Sequence, residues 1–576
     1  MQKKTAACIL IITIWTSYLF LFHLGQKGLW SSQESRNALA ARCMLNGSLK
    51  DWIVPVIANE RSTQKPVLFY WLVTLSCKLG GEISGLFVRL PSALSGILCV
   101  LYIFYLGNCL FSRRVGFISS MVLGTSTKFL IMSRTSRIDI FLALCLTICL
   151  GELFLFYKNK RRIHIILAYL FAGLGALAKG PVALILPMMI LSAFLIVEKK
   201  PKQLFSFIRI EGILTIIILV LPYYILANRV TDGNFLLDFI IKHNIERFTG
   251  HYGTFGRTKP FCFYIPHILA GSIPWAILFP LMLFFYKIKL RGKKIFNVYT
   301  TPQTPYNTNG EYNFFFLAIT IIFLFFSISS FKRSDYILPI FPFVSFFIGI
   351  YLSNIESVIT RKYSVIFIII SICFCLFIPV FYYIDFTKLP DFLFRIDFVE
   401  TYFNRNDKIM LESICTFFTI HKFSLILVLL YVLCTSVYIS LSILRLKTKN
   451  IAVAIILLAT VSYSHYYGVV EPFLDRYCNL EPFANRIKEA VPDKKVVLYH
   501  FWNHSLAFYL NDNLQGVYGF DNLMNFLKEN NMRYFLCQQK WFDKLPDKNK
   551  DKFSIILRTE PYHRKNILLV KYNPKN

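Results

Sequence analysis

The sequence predicts a polytopic α-helical membrane protein with about thirteen transmembrane helices and a small C-terminal α/β domain. Three observations carry this prediction: an apolar composition, repeated apolar runs of membrane-spanning length, and basic clusters in alternate loops. Of the 576 residues, 55% are hydrophobic and only 16% are charged. Water-soluble domains carry roughly 25% charged residues, and disordered chains are far less apolar, so both classes are excluded.

Apolar runs long enough to cross a bilayer recur along the chain. A hydrocarbon core of about 30 Å needs about 20 apolar residues in a helix, and about thirteen runs meet this requirement. The first run lacks a clear small-residue cleavage site, so we predict an anchor and not a signal peptide. The approximate centres of the runs are Ile14, Ile97, Met121, Leu146, Leu170, Ile190, Ile217, Ile273, Ile321, Phe343, Ile369, Val428 and Leu458.

The basic clusters indicate how the chain is threaded through the membrane. The net charge is +31, but the cations form short clusters between apolar runs and not one stripe, so no nucleic-acid partner is expected. The clusters fall in every second loop, which is typical of cytoplasmic loops. We therefore predict a cytoplasmic N-terminus and, with an odd number of spans, an outer C-terminus. The clusters are Lys3-Lys4, Arg113-Arg114, residues 158–162, 199–202 and 287–294, Arg361-Lys362 and residues 445–449.

The domain organisation follows from a change in composition near residue 470. Residues 1–469 are predicted to form the transmembrane domain, with a long first outer loop at about residues 25–80. Residues 470–576 are more polar and contain short β-type runs near residues 495–500, 534–537 and 567–570. They predict a small α/β domain on the outer face. The sequence leaves open whether Cys478 and Cys537 form a disulfide.

The first outer loop contains a predicted amphipathic helix. Ser31 followed by Glu34 matches a capping box, in which the two side chains satisfy backbone N–H groups at a helix start. Apolar residues then recur at helical spacing, from Ala38 to Leu45. This pattern predicts a helix that lies on the membrane surface.

Charged residues gather at the predicted outer ends of the spans. Cations beside a lipid surface suit a lipid-linked phosphate, and a nearby carboxylate can act as general base toward a hydroxyl or amine. This combination predicts glycosyl transfer from a polyprenyl-phosphate sugar. The carboxylates are Glu34 and Asp139, and the cations are Arg36, Lys65, Arg134, Arg137, Lys179, Arg247, Lys332 and Arg333.

Simpler roles remain open for each of these residues singly. A lone Lys or Arg at a span end is more often an anchor that reaches toward the headgroups. Asp139 at a loop–helix junction is as well placed for a helix cap as for catalysis. His243 fits an interface histidine equally well. The convergence of many such groups on one side favours the functional interpretation.

A series of short motifs runs in order along residues 25–345. It comprises Trp30-x-x-Gln-Glu-Ser-Arg, Asp51-Trp-Ile-Val-Pro, Lys65-Pro-x-x-x-Tyr-Trp, Arg137-Ile-Asp139, Lys179-Gly-Pro, Asn244-Ile-Glu-Arg-Phe and Lys332-Arg-Ser-Asp-Tyr-Ile-Leu-Pro. This series resembles the bacterial aminoarabinose transferases that modify lipid A. It also resembles the wider set related to protein O-mannosyltransferases, within the GT-C glycosyltransferase superfamily.

The resemblance implies a GT-C fold and a bacterial inner-membrane location, with a periplasmic α/β domain. It implies inverting transfer of a sugar from undecaprenyl phosphate to lipid A, another envelope glycan or a protein. Membrane lipids are expected as further partners of the protein. It places the donor phosphate on Arg36, Lys65 and Lys179, with Arg247, Lys332 and Arg333 nearby. The remaining pocket residues would be Gln33, Gln64, Arg137, His243 and Tyr336.

Several positions depart from the family pattern. Gln33 stands where the family usually has its favoured general base, an Asp, so the base would be Glu34 or Asp139, with Glu34 our first choice. Gln64 replaces an acidic residue that is a proposed metal ligand, and the later histidine is replaced by Arg257, unless His251 serves. An amide and a guanidinium are poor ligands for a divalent ion, so no cofactor is firmly predicted. The missing Asp favours the alternative of a non-catalytic protein that binds or flips lipid-linked sugars.

Overall fold

The computed structural model describes residues 2–249, 259–279 and 309–354, isolated residues between 411 and 438, and residues 449–573 with short gaps. The first part of the chain is almost entirely helical. Its helices are α1 (Gln2–Leu21), α2 (Ser32–Asn46), α3 (Leu49–Ile53), α4 (Leu68–Gly80), α5 (Gly85–Leu110), α6 (Arg113–Thr125), α7 (Thr127–Ser133), α8 (Ile138–Asn159), α9 (Arg162–Lys179), α10 (Val182–Val197) and α11 (Ile210–Val230). A hairpin of β1 (Val56–Ile57) and β2 (Glu60–Arg61) interrupts the first loop.

Helical segments also dominate the described residues that follow α11. The segment Leu237–Glu246 is a π-helix that leads into the short helix Arg247–Thr249. Long apolar helices return near residues 320 and 345. The further helices of the membrane part are Tyr264–Gly271, Asn309–Ile328, Phe341–Asn354 and Lys449–His465.

Seven described helical segments are long and apolar enough to cross a membrane, and α6 with α7 is an eighth candidate. The seven contain the predicted centres Ile14, Ile97, Leu146, Leu170, Ile217, Ile321 and Leu458. The runs around Ile190 and Phe343 form shorter apolar helices. The centres Ile369 and Val428 lie outside the described residues. The protein is thus a multi-pass membrane protein, and the count of thirteen stays a prediction.

The predicted spans centred on Met121 and Ile273 are not continuous helices. α6 and α7 meet at an angle of 69° because Ser126 between them has an extended backbone. The chain around Ile273 turns against this break, where the Ile273 carbonyl accepts the N–H of Thr127 at 3.0 Å. The indole N–H of Trp275 donates to the Thr125 hydroxyl at 2.8 Å. Buried polar groups freed by the break are thereby satisfied, which an apolar environment requires.

The hairpin of α5 and α6 shows how closely the helices pack. A Cβ atom added at Gly107 would lie 2.6 Å from the Cα atom of Gly116. Small residues at a helix crossing let two backbones approach within van der Waals contact, which drives helix association where apolar burial cannot. A larger residue at either position would therefore force the two helices apart.

The predicted amphipathic helix in the first loop is α2. Ser31 caps it, since its hydroxyl oxygen accepts the N–H of Gln33 at 3.2 Å. Glu34 does not complete the capping box, because Arg89 binds its carboxylate. The apolar stripe is buried within the protein, where Ala38 and Ala41 join a cluster with Phe69 of α4. The apolar face is thus covered by α4 and the C-terminal domain, and the predicted position of this helix at the membrane surface stays a prediction.

The C-terminal domain contains a five-stranded mixed sheet in the order β4-β3-β5-β7-β6. The pairs β3–β4 and β3–β5 are parallel, whereas β5–β7 and β6–β7 are antiparallel. The three predicted β-type runs are confirmed as β3, β5 and β7. The strands are β3 (Val497–Tyr499), β4 (Gly516–Val517), β5 (Tyr534–Gln538), β6 (Phe553–Arg558) and β7 (Ile567–Tyr572), and the helices are Glu471–Cys478, Glu481–Ala490, His504–Leu510, Phe520–Glu529 and Gln539–Phe542.

Both faces of this sheet are covered by apolar side chains. Leu498, Leu536 and Leu569 join one core with the helices Glu481–Ala490 and His504–Leu510. Their neighbours along the strands, such as Val497 and Phe535, join a second core with the helix Phe520–Glu529. This alternation is what a strand with two covered faces produces. Cys537 is a free thiol buried in the second core, so the disulfide left open by the sequence is not formed.

The C-terminal domain is held against the first loop by polar contacts. The Leu29 carbonyl accepts a hydrogen bond from the Ser505 hydroxyl at 2.9 Å, and the Leu29 N–H donates to the Tyr509 hydroxyl at 2.8 Å. Asp475 accepts the N–H of Gly28 at 2.7 Å. The helical chain runs without interruption from residue 449 through residue 470 to Cys478. The proposed domain boundary at residue 470 stays a prediction.

Candidate functional site

Six cations from different segments gather at the end of the helical bundle that carries the C-terminal domain. We call them the cation cluster. The first loop supplies two of them, the helix starts and ends supply three, and the loop after the helix Asn309–Ile328 supplies one. The cation cluster consists of Arg36, Lys65, Lys128, Arg137, Lys179 and Arg333. The predicted convergence of charged span ends is therefore present for most of these residues.

Asp335 is the centre of one half of the cluster. Its carboxylate lies 2.7 Å from Lys128, 3.2 Å from Arg137 and 3.4 Å from Arg333. Burial of this carboxyl group opposes ionisation, but the three cations hold its pKa well below its usual range. Asp335 therefore favours the ionised form and pairs with cations from α7, from the start of α8 and from its own loop after the helix Asn309–Ile328.

Asp139 is the centre of the other half. It lies in the first turn of α8, is only 8% exposed, and accepts a hydrogen bond from the ammonium group of Lys179 in the last turn of α9. An anion at a helix start and a cation at a helix end are both favoured by the helix dipole. The Lys179 ammonium group also lies 4.5 Å from the centroid of the Tyr336 ring. The hairpin of α8 and α9 thus presents a carboxylate and a cation at one end.

Lys65 connects the two halves electrostatically. Its ammonium group donates to the Gln33 side-chain oxygen at 2.9 Å. Burial lowers the pKa of Lys65 to about 7, and repulsion from Arg36, Lys179 and Arg333 adds to this effect, while Asp139 opposes it. Six cations face two carboxylates, so positive charge is in excess. The site is therefore suited to an anion, whose binding would restore the charge on Lys65.

Polar side chains extend the site along the first loop. The Arg36 guanidinium donates to the Gln64 side-chain oxygen at 2.5 Å and to the Ser62 hydroxyl at 2.9 Å. Because Arg36 occupies the oxygen of Gln64 and Lys65 follows it directly, these residues do not fit a divalent cation. No group of three or more metal-ligating residues occurs in the described part of the chain. The other candidate ligand, His251, lies outside it.

Glu34, our first choice of base, is fully enclosed and paired. Its carboxylate lies 2.7 Å from the Arg89 Nε atom and accepts the N–H of Ser136 at 3.2 Å. Although burial opposes ionisation, attraction to Arg89 lowers its pKa to about 2. The two side chains are 1% and 0% exposed. This geometry argues against Glu34 as a base, since its side chain is 1% exposed and already bound by two donors.

Arg89 explains why Glu34 is held so firmly. Its guanidinium also donates to the carbonyl oxygens of Leu24 and Lys27 at 3.0 Å and of Gly28 at 2.7 Å. The pair therefore fastens the start of the first loop to α5. Because this ion pair is buried and every donor of Arg89 has an acceptor, we assign the pair a structural role.

Two of the predicted cations have structural partners elsewhere. Arg134 donates to the carbonyl oxygens of Leu19 and Phe22 at the end of α1 and lies 3.6 Å from the centroid of the Tyr467 ring. Lys332 is buried and donates to the Ser329 carbonyl at 2.6 Å. The predicted place of Lys332 near the donor phosphate stays a prediction.

Two further predicted residues lie on the π-helical segment and its continuation. His243 is half-buried beside Asp238, whose carboxylate accepts the Thr63 hydroxyl at 3.1 Å. The backbone of Arg247 lies in the helix Arg247–Thr249, but its side chain is outside the described part of the structure. Their predicted roles stay predictions.

The sequence interpretation missed three residues of this region. Lys128 was not identified, although a charge within an apolar run is itself a signal of function. Asp335 belongs to the motif that begins at Lys332, but it was given no role. His504 of the C-terminal domain lies 2.9 Å from the Ser32 hydroxyl. Burial, with repulsion from Arg36 and Lys565, lowers its pKa to about 4. No motif links His504 to the first loop, so only the fold could reveal it.

Comparison with known proteins agrees with this geometry. Residues 64–225 match the family model described as dolichyl-phosphate-mannose-protein mannosyltransferase. The chain is 28% identical over 359 residues to the undecaprenyl phosphate-alpha-4-amino-4-deoxy-L-arabinose arabinosyl transferase of Pectobacterium atrosepticum, covering 61% of this chain and 60% of that one. It is 29% identical over 330 residues to the enzyme of the same name from Aeromonas hydrophila, covering 56% of each. The chain thus spans less than two thirds of either relative.

The likeness to solved structures extends over nearly the whole chain. The crystal structure of ArnT from Cupriavidus metallidurans bound to undecaprenyl phosphate has a TM-score of 0.71 at 16% identity and covers 97% of both chains. Its apo form has a TM-score of 0.72 at 17% identity and covers 98% of both. The chain has the GT-C membrane fold, and the resemblance predicted from its motifs is confirmed.

Proposed function

We propose that the protein is a glycosyltransferase that moves a sugar from a polyprenyl-phosphate donor, such as undecaprenyl phosphate, to lipid A, another envelope glycan or a protein. The cation cluster is the observation that carries this proposal. It concentrates positive charge at a bundle end, within a fold whose solved relative is bound to undecaprenyl phosphate. The relatives from Pectobacterium and Aeromonas are named for transfer from such a donor.

The cation cluster would stabilise the leaving group. The donor phosphate carries one negative charge as a diester and gains a second as the sugar departs. Within the cation cluster, Arg36 and Lys65 come from the first loop, and Lys179 and Arg333 lie within electrostatic reach of Lys65. Cations fixed in advance around a developing charge lower the barrier most, because they need no rearrangement during the reaction.

Asp139 is the base that the geometry favours. Its hydrogen bond to Lys179 fixes the direction of the carboxylate. In the proposed step the acceptor oxygen or nitrogen attacks the anomeric carbon from the side opposite the phosphate. The bond from that carbon to the phosphate oxygen breaks, its electron pair leaves with polyprenyl phosphate, and the acceptor proton passes to Asp139. The configuration at the anomeric carbon is inverted.

The proposed orientation of the protein in the membrane follows from the positions of its basic loops. The cation cluster and the C-terminal domain share one end of the bundle, since Arg36 and Ser32 lie on α2 and His504 contacts Ser32. The positive-inside rule assigns the opposite end to the cytoplasm. We therefore place the N-terminus in the cytoplasm, and the site and C-terminal domain in the periplasm of a bacterial inner membrane.

A transfer assay tests the proposal against the alternative of a protein that only binds or flips lipid-linked sugars. The full-length protein is reconstituted with labelled undecaprenyl-phosphate sugar and an envelope extract. A transferase gives labelled acceptor together with free undecaprenyl phosphate. A binding or flipping protein gives neither product, although the label becomes protein-bound or crosses the bilayer.

A further inference from the structure

A cavity of about 460 Å³ lies between the first loop and the C-terminal domain. The last two turns of α2 and the β1–β2 hairpin form one wall, and Trp502 with its neighbours in the C-terminal domain forms the other. It lies beside the cation cluster without sharing its residues. Arg36 of the cation cluster and Cys43 of the cavity wall both lie on α2, seven residues apart. This separation corresponds to about 10 Å along the helix axis, and the two positions lie on the same face of the helix.

The cavity contains a cation that the protein itself does not neutralise. Arg42 is half-buried in its wall, and its guanidinium lies 4.4 Å from the centroid of the Phe508 ring. Within the described residues it makes neither a hydrogen bond nor an ion pair. A guanidinium has five N–H donors in a planar fork, which matches a carboxylate or phosphate. The carboxylate in the lining, Asp51, is paired with Arg61 at 3.3 Å and not with Arg42. Arg42 therefore lacks an anionic partner among the described residues.

Further groups in the wall suit a sugar. The indole N–H of Trp502 is buried and makes no hydrogen bond within the described chain, and its ring forms part of the wall. The side chain of Asn46 is exposed at the same cavity. An aromatic face beside amide groups and an indole N–H can contact both the apolar faces and the hydroxyl groups of a pyranose ring.

The hairpin that closes the cavity is conformationally strained. Ala58 and Asn59 at its turn have φ angles of 60° and 64°, and both line the cavity. Asn59 donates to the Leu514 carbonyl of the C-terminal domain at 3.3 Å, which holds the turn in place. The left-handed region is unfavourable for alanine, and strain of this kind is often retained at binding sites.

We propose that this cavity binds an anionic saccharide of the acceptor, with a phosphate or carboxylate on Arg42 and a sugar ring against Trp502. The inference rests on the proposed function, because it assigns the acceptor side of the same reaction. The donor phosphate lies on the cation cluster, and the acceptor saccharide lies about two helical turns away along α2. An acceptor held there reaches the anomeric carbon from the periplasmic side.

Direct binding tests the proposal without relying on turnover. The full-length protein in detergent is titrated with a phosphorylated glucosamine disaccharide, with its dephosphorylated counterpart and with inorganic phosphate. We expect the phosphorylated disaccharide to bind most tightly. Arg42→Gln should weaken it at least tenfold, since it removes the hydrogen bonds between the guanidinium and the anionic group. Trp502→Phe should weaken both disaccharides, and Lys50→Gln, which removes an exposed charge outside the cavity, should change neither.

Three outcomes would overturn the site. These are equal affinity for the phosphorylated and dephosphorylated disaccharides, equal affinity for inorganic phosphate and the phosphorylated disaccharide, or unchanged binding in both Arg42→Gln and Trp502→Phe. Failure of the proposed function would give a different result from failure of this site. In that case the disaccharide still binds through Arg42, but the transfer assay gives no labelled product.

Discussion

Asp139 and Lys179 form an ion pair between the first turn of α8 and the last turn of α9. The hairpin of these two helices brings together residues 40 positions apart in the chain. The pair lies beside Lys65 and within electrostatic reach of Asp335. One half of the cation cluster therefore carries a carboxylate and a cation side by side, as the proposed reaction requires of a proton acceptor next to a phosphate-binding group.

Asp139→Asn should abolish transfer without preventing donor binding. The amide has the size of the carboxylate but cannot accept a proton near neutral pH, so the rate should fall about 10²–10⁴-fold. The measurement is single-turnover transfer at saturating donor, with donor affinity determined separately. A variant that keeps more than half of the wild-type rate would rule out Asp139 as the base.

Glu34→Gln should affect folding more than chemistry. It leaves the buried Arg89 without its counter-charge, a change that costs about 3–5 kcal/mol in other proteins. We expect a marked fall in the thermal unfolding temperature of the protein in detergent. The double variant Glu34→Leu with Arg89→Met should recover part of this loss, because no buried charge remains unpaired. A stable Glu34→Gln protein that cannot transfer sugar would instead return Glu34 to a catalytic role.

Donor affinity should fall as the pH rises above 7. Lys65 has a pKa of about 7 in the free protein, so it is protonated below this value and neutral above it. A bound phosphate favours the charged form, so binding takes up a proton, and affinity falls by up to about tenfold for each pH unit. The donor is a phosphodiester and does not itself titrate in this range. Binding measured from pH 6 to 9 should show this slope, and Lys65→Arg, which stays charged throughout, should not.

The contact of the C-terminal domain with the first loop should weaken in mild acid. The pKa of His504 is lowered from 6.5 to about 4 in the folded protein. When the histidine is released it binds a proton below pH 6.5, so the stabilisation is complete above that value and is lost as the pH falls toward 4. Thermal unfolding between pH 7 and 4 should show this loss. A His504→Asn variant should show a smaller pH dependence, and identical profiles for the two proteins would contradict the assignment.

Much of the membrane part was predictable because its signals are local. A run of apolar residues specifies a span wherever it occurs, and the cations at the ends of α8 and α9 were read directly from the sequence. Partners distant in the chain were not predictable. Glu34 is bound by Arg89, 55 residues later, and Lys128 by Asp335, 207 residues later. No spacing rule connects such pairs, so Glu34 was assigned to catalysis and Asp335 was given no role.

The surroundings of α2 show a second limit of sequence patterns. An apolar stripe on a helix predicts that the stripe is buried, but it does not say against what. In α2 the stripe meets α4 and the helix His504–Leu510. The cavity beside Arg42 was unpredictable for the same reason, since its two walls come from opposite ends of the chain.

Binding of undecaprenyl phosphate to the purified full-length protein tests the role of the cation cluster most directly. At pH 7 we predict binding by the wild-type protein and at least tenfold weaker binding by Lys65→Ala and Arg333→Ala, because each removes a cation from a buried phosphate site. Lys50→Ala, an exposed charge outside the cluster, should bind as the wild type does. Equal affinity in all four proteins would show that the phosphate lies elsewhere and would contradict the proposed site.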